Sequence, residues 1–253
     1  MDKNLNNPLV SVQICTFNRA ETISRAIQSA LDQSYTNIEI IIMDDASTDD
    51  TEIVVSRFQD SRIKYFKNGT NLGIVKNRNA SIEKSNGKYI AILDSDDFWN
   101  SNDKIAKQVD FLENNRGYAI VGTQANIVDI NDKTIDKINV LKTNKTIKKW
   151  MLLRNNFINS SVLINKKVIL DVGGYDNSLP LNEDYDLSLK IAQTHKVSNL
   201  PDFYTSYRTG NISSMNNVKL AAKKHLQLIK RYKNNYPNFW LALIKSYLRL
   251  LKS

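Results

Sequence analysis

The chain has 253 residues, 42% hydrophobic and 24% charged, which is the balance of a globular protein with room for one large core. No run approaches the roughly eighteen apolar residues of a membrane-spanning helix, and a single cysteine, Cys15, excludes a disulfide framework within the chain. The formal net charge is +9, but nine Lys or Arg and no Asp or Glu fall between Lys219 and Ser253, leaving 26 of each sign in residues 1–218. The excess is therefore local, which argues against nucleic-acid binding and for an anionic partner of the C-terminal segment.

In chain order, "MDKNLNNPLVSV" lacks the apolar segment of a secretory leader, and with a reduced cysteine this predicts a cytoplasmic location. "LVSVQICTF" (9–17) reads as a buried strand with Cys15 as a small hydrophobe. "ETISRAIQSALDQ" (21–33) follows as an amphipathic helix, and "IEIIIMDD" (38–45) as a second strand. A helix then opens near "STDDTEIVVSRF" with Ser47 or Thr48 as its cap, and "RIKYF" (62–66) is a short strand. Residues 75–85 form a helix ended by Asn86-Gly87, 89–94 a fourth strand, and 102–115 a helix closed at Gly117. This alternation predicts a mainly parallel sheet with helices on both faces.

The second half is mixed. Two strands flank an Asn131-Asp132 turn, and 161–176 reads as strand, short helix and Gly173-Gly174 turn. A helix over 182–195 and a strand over 200–208, with Pro201 at its edge, complete the pattern. A division near residue 116 separates two halves of one unit, 1–116 and 117–210, followed by a tail, 211–253.

In a parallel α/β sheet, ligands gather at the carboxyl ends of the strands. Three of these ends are polar here: "TFNR" (16–19), "MDDAST" (43–48) and "LDSDD" (93–97). Asp94 and Asp96 alternate along one strand end, so both carboxylates can face one cleft, an oxygen-rich setting for a hard divalent cation bridging phosphates. Asp and Ser are also ordinary turn and cap residues, which accounts equally well for "DDAST". "LDSDD" follows four apolar residues with no basic neighbour and favours a ligand.

Five segments, "VSVQICTFNR", "IIIMDDASTDDT", "NLGIVKNRNASIEKSNGKYIAILDSDD", "SSVLINKKVILDVGGYD" and "NEDYDLSLKIA", resemble in order those of glycosyltransferase family 2, the inverting nucleotide-sugar transferases of the GT-A fold. The resemblance spans about residues 9–208 and implies a Rossmann-like, mixed but mainly parallel α/β sheet flanked by helices. It implies that Asp45 accepts a hydrogen bond from the nucleotide base, that Thr16 and Phe17 lie beside base and ribose, and that Arg78 approaches the nucleotide. It places Asp94 on the ribose and Asp96 on a diphosphate-bound Mn²⁺ or Mg²⁺, with Asp97 in support. The family pattern makes Asp184 of "NEDYD" the base that deprotonates the acceptor, with Glu183 as the alternative base or an acceptor contact; on residue pattern alone both carboxylates are equally explained by a helix N-terminus. Many relatives carry a His after the Tyr-Arg pair, where this chain has Thr209 and Gly210, so a metal ligand from that loop is in doubt.

The resemblance thus implies metal-dependent transfer of a sugar from a nucleotide-sugar, UDP by family habit, to a glycan or lipid-linked glycan in surface polysaccharide synthesis. A sugar nucleotidyltransferase would carry a glycine-rich loop after the first strand, where "TFNRAETIS" has no glycine. A non-catalytic sugar-binding module would be expected to lose Asp94, Asp96 or Asp184, and all three are present. Beyond Val218 the resemblance fades into two basic amphipathic helices. In the second, Trp240, Leu243, Tyr247 and Leu251 form the face expected to enter an anionic membrane surface, giving a peripheral location at the inner face of the cell membrane. Packing of these helices onto the catalytic unit is the competing expectation.

Overall fold

The computed structural model describes residues 7–209 and 218–251. Among them, nine strands form one mixed sheet: β1 (Val10–Thr16), β2 (Ile38–Asp44), β3 (Ile63–Lys67), β4 (Tyr89–Ile92), β5 (Phe98–Trp99), β6 (Tyr118–Val128), β7 (Thr134–Ile138), β8 (Leu163–Asn165) and β9 (Lys196–Arg208). The order is β3-β2-β1-β4-β8-β6-β9-β5, with β7 paired to β6. β3, β2, β1 and β4 are mutually parallel, β8 runs antiparallel to β4 and β6, and β9 is parallel to β6. The sheet is thus parallel in the first half, as the β-α alternation predicts, and mixed where the alternation stops.

Helices α1 (Ile23–Leu31), α2 (Thr51–Ser56), α3 (Ile74–Lys84) and α4 (Lys104–Asn114) serve the first half. The second half contains α5 (Asn144–Trp150), α6 (Lys166–Asp171), α7 (Glu183–Thr194), α8 (Val218–Arg231) and α9 (Phe239–Leu251). Side chains alternate along each strand, so β4 sends Tyr89 and Ala91, with Leu93 just beyond it, into one apolar cluster and Ile90 and Ile92 into the other. Leu163 and Ile164 of β8 divide in the same way. The two cores lie on opposite faces of the sheet.

Two local expectations change. α2 starts at Thr51, not beside Ser47 or Thr48, because Asp49 takes hydrogen bonds from Thr51 N and Oγ1 at 3.0 and 2.5 Å and from Ala20 N at 3.0 Å. Pro201 lies inside the thirteen-residue β9, at an irregularity where Asn199 pairs with Gly122 but Phe203 pairs with Gln124. Its missing N–H is tolerated there because the ladder is already broken.

The C-terminal helices pack on the body: Leu228, Ile229, Tyr232, Tyr236 and Ala242 join the same core as Leu187, Leu189 and Ile191 of α7. Leu243, expected on a lipid-facing side, is partly buried, and the outward apolar set is Trp240, Leu241, Ile244, Tyr247, Leu248 and Leu251. Residues 210–217 of the tail lie outside the described residues. No described helix is long and apolar enough to cross a membrane.

Candidate active site

Strand register puts three polar strand ends side by side. Thr16 pairs with Asp44 across β1 and β2, Asp45 N donates to Thr16 O at 2.9 Å, and Leu93 N donates to Gln13 O at 3.0 Å. A cavity of about 970 Å³ opens over these ends, within the range of small-molecule sites. Thr16, Phe17, Asp45, Arg78, Asp94, Asp96, Asp97, Glu183 and Asp184 all border it. These residues come from the ends of β1, β2 and β4, from α3, and from α7, more than eighty positions beyond the "LDSDD" segment, and the fold brings every one of them together.

Asp45 is buried, and its carboxylate accepts from Asn68 Nδ2 at 2.8 Å, Leu72 N at 2.8 Å and Gly73 N at 2.9 Å. A carboxylate offers about four acceptor positions, so roughly one is left for a ligand N–H. Gly73 adopts φ +84°, the conformation that turns its N–H onto Asp45 at the start of α3. Thr16 Oγ1 borders the cavity, is buried and has no hydrogen-bond partner among the described residues. An unmatched buried hydroxyl is costly unless a ligand satisfies it. Phe17 is 43% exposed and offers an apolar wall. Cys15 is buried, and burial pushes its thiol up to about 12, so it is inert.

Arg78 is buried and forked: Nη1 donates to Glu183 at 2.8 Å and Nη2 to Asp94 at 2.9 Å. Burial disfavours its charge, but the Asp94 and Glu183 carboxylates outweigh that and hold it protonated. Its guanidinium therefore ties the "LDSDD" strand end to the first turn of α7 instead of projecting freely towards a nucleotide. Asn159 Nδ2 donates to both oxygens of Asp94 at 2.9 Å. Asp97 is sealed by Ser160 Oγ and by Arg208 N at 2.8 Å. Burial, then the neighbouring Asp94 and Asp96 charges, push Asp97 well above the usual carboxylate range. Asp96 is more open and lies 3.7 Å from Arg19 Nε.

Glu183 and Asp184 occupy different settings one residue apart. Glu183 is spoken for by Arg78, and burial pushes it up to about 7 with Arg78 opposing. Asp184 is partly exposed and accepts from Asn155 Nδ2 at 3.1 Å. Burial raises it too, while Arg78 and the Tyr185 N–H oppose the shift. Asp186, in contrast, is fully buried away from the cavity, held by Lys190 at 3.0 Å, Arg231 at 3.2 Å and Tyr232 Oη at 2.8 Å.

For a divalent cation, the described residues contain no cluster of three or more His, Cys, Asp or Glu arranged to hold one. The donor set nevertheless fits a metal delivered with phosphates: Asp96 faces the cavity, and Mg²⁺-type ions commonly take one or two carboxylates plus phosphate oxygens and water. Sequence reasoning missed Asn155, Asn159 and Ser160, which position Asp184, Asp94 and Asp97. The available signal was the polar run "RNNFINSS" (154–161) inside an otherwise buried segment.

The sequence profile of Glycosyl transferase family 2 matches residues 11–173. The chain is 36% identical over 212 residues, 81% of its length and 80% of the relative's, to the UDP-Glc:alpha-D-GlcNAc-diphosphoundecaprenol beta-1,3-glucosyltransferase WfaP of Escherichia coli. It is 31% identical to WfgD, an Escherichia coli glucosyltransferase of the same description, over 91% of this chain and 89% of that one. Its fold superposes on the Staphylococcus aureus TarS structure in complex with UDP-GlcNAc (TM-score 0.74, 17% identity, 96% of this chain and 72% of that one). It likewise matches the mannosyltransferase PcManGT of Pyrobaculum calidifontis in complex with GDP-Man and Mn²⁺ (TM-score 0.71, 17% identity, 96% and 70%). With these likenesses added to a cavity at the carboxyl ends of β1, β2 and β4, the chain belongs to glycosyl transferase family 2 and is a glycosyltransferase of the GT-A fold.

Proposed function

We propose that the enzyme transfers a sugar, with inversion, from a UDP-sugar to a hydroxyl of a diphosphate-linked, lipid-anchored sugar. The observation that carries this reading is the division of labour in the first turn of α7: Glu183 is bound to Arg78, whereas Asp184 lies partly open on the cavity. Only Asp184 is free to take a proton from an acceptor hydroxyl as it attacks the anomeric carbon, and this makes it the general base. Asp45, Thr16 and Phe17 hold the base and ribose, and Asp94 contacts the ribose while Arg78 and Asn159 fix its orientation. Asp96 would hold Mn²⁺ or Mg²⁺ together with the donor diphosphate, and the ion when bound acts as a Lewis acid that offsets charge on the leaving group. Glu183 and Asp97 serve as supports, Glu183 through Arg78 and Asp97 through Ser160 and Arg208.

The donor and acceptor classes follow the two Escherichia coli relatives, both named for UDP-glucose and a diphosphoundecaprenol-linked acceptor. The outward apolar face of α9, with Lys230 near the Tyr247 ring and Lys233 near the Trp240 ring, suits peripheral contact with the anionic cytoplasmic face of a membrane, where such an acceptor resides.

Calorimetric titration with UDP, with and without Mn²⁺, tests the donor site, and transfer from UDP-glucose to N-acetylglucosaminyl diphosphate lipid tests the reaction. Asp184→Asn should reduce transfer by roughly a thousandfold or more while UDP affinity stays within about twofold. Near-normal turnover in that variant would refute Asp184 as the base.

A further inference from the structure

A second cavity, of about 730 Å³, lies behind the first, between the 153–155 segment, the first turn of α7, α8 and α9. Asp184 borders both cavities and is the one carboxylate on the wall of the second. The other charged groups there are cations: Arg154, Lys245 and Arg249, the last two one turn apart on α9. Arg154 donates to Asn156 Oδ1 at 3.2 Å and Lys245 to Leu153 O at 2.8 Å. None of the three is ion-paired to a carboxylate among the described residues. His225, stacked on Tyr185 with ring centroids 6.0 Å apart, also borders the cavity. Burial, then Arg249 and Lys245, hold its imidazole down at about 4, so it stays neutral among the cations.

Three unneutralised cations around a recess call for an anion of more than one charge. Leu248, which lines the recess, is exposed and belongs to the outward apolar stripe with Ile244 and Leu251. One occupant satisfies all three features: a sugar hydroxyl for Asp184, a diphosphate for the cations and a hydrocarbon chain for the stripe. We propose that this cavity seats the acceptor, with its sugar at Asp184, its diphosphate between Arg154, Lys245 and Arg249, and its lipid chain leaving over Leu248 along α9. Donor and acceptor then approach Asp184 from separate cavities, as a single displacement with inversion requires. The assignment rests on reading the acceptor as a diphosphate-linked lipid sugar.

The test is steady-state kinetics with N-acetylglucosaminyl diphosphate carrying a short alkyl chain, soluble without vesicles. Lys245→Ala/Arg249→Ala changes two exposed side chains. It should raise the acceptor KM roughly tenfold or more, leaving kcat at saturating acceptor and UDP affinity near wild type. The charge-conserving Lys245→Arg/Arg249→Lys pair should recover most of that loss, and an acceptor with one phosphate should be less sensitive to the alanine pair. An unchanged acceptor KM overturns the proposal. So does a defect confined to acceptor embedded in phosphatidylglycerol vesicles and absent in solution, because the cations would then contact the bilayer and not the acceptor. If the wild type transfers to no diphosphate-linked acceptor, the reading of the acceptor class has failed. Calorimetry with the alkyl diphosphate alone then decides the cradle: binding lost in the alanine pair sustains it, and equal binding in both proteins overturns it.

Discussion

Asp184 carries a tension that a pH profile can read. Burial pushes its carboxyl above the ordinary range, whereas a base must be ionised to accept a proton. The rate at limiting acceptor should therefore rise with pH through the Asp184 titration, with its acid limb above the usual carboxylate value of 3.8. Asn155 Nδ2, at 3.1 Å, favours the charged form. Asn155→Leu removes that hydrogen bond, so the acid limb should move further up by about half to one pH unit. At a pH well above the limb, kcat should be less affected. A limb that stays in place in Asn155→Leu would show that another group controls it. The neighbouring Glu183 shows how a single position decides role: the same helix turn and the same chemistry, but a bond to Arg78 that removes it from proton transfer.

At the scale of elements, α7 does two jobs with one acidic turn. Asp184 faces the cavities, and two residues on, Asp186 turns into the protein and binds Lys190, Arg231 and Tyr232. Arg231 and Tyr232 lie at and just beyond the end of α8, so this buried carboxylate latches the C-terminal helices to the helix that carries Asp184. Asp186→Ala should lower stability by about 2 kcal/mol in urea unfolding, because it leaves the partly buried Lys190 without its carboxylate and Tyr232 Oη without its acceptor, while Arg231 keeps Asp176 at 2.6 Å. Tyr232→Phe should cost only about 1 kcal/mol. Equal effects would mean that packing, not charge, holds the latch. This latch marks the limit of what the sequence could tell. "NEDYD" announces three carboxylates at a helix start, and all three have the residue type a base needs; only the register of α7 against α8 separates the outward Asp184 from the inward Asp186. In the first half, period-two and period-three-to-four patterns were enough to place β1 to β4 and the polar strand ends. β5, late in the first half, is two residues long and too short for any periodicity to expose, and of β9 the pattern showed only 200–208, because the ladder is interrupted beside Pro201. Asn155, Asn159 and Ser160 reach the site only because β8 runs antiparallel to β4, a pairing between distant segments that no local pattern encodes.

For the whole molecule, the C-terminal basic segment is where composition misleads most. Nine cations without an acid read as one detachable surface-binding tail, yet its two helices differ in what they bury. α8 and the turn after it place Leu228, Ile229, Tyr232 and Tyr236 in the core of the body, whereas α9 buries only Ala242 and Ser246 fully. Burial of each large apolar side chain stabilises by roughly 1.5–3 kcal/mol. Four of them amount to a large part of the 5–15 kcal/mol that typically separates folded from unfolded domains. Ending the chain at 217 should therefore give a protein without a cooperative thermal transition. Ending it at 238 should leave a folded protein that melts a few degrees lower, because the loss is closer to 1–2 kcal/mol. That shorter protein should bind UDP as the full chain does, since no residue of α9 borders the cavity at the strand ends, the proposed donor site. It should lose partition onto phosphatidylglycerol vesicles and, with Lys245 and Arg249 gone, its affinity for a diphosphate-linked acceptor. Melting curves, UDP titration and vesicle flotation on the two truncations separate the structural helix from the surface helix. Retained vesicle binding in the protein ending at 238 would place the membrane contact outside α9.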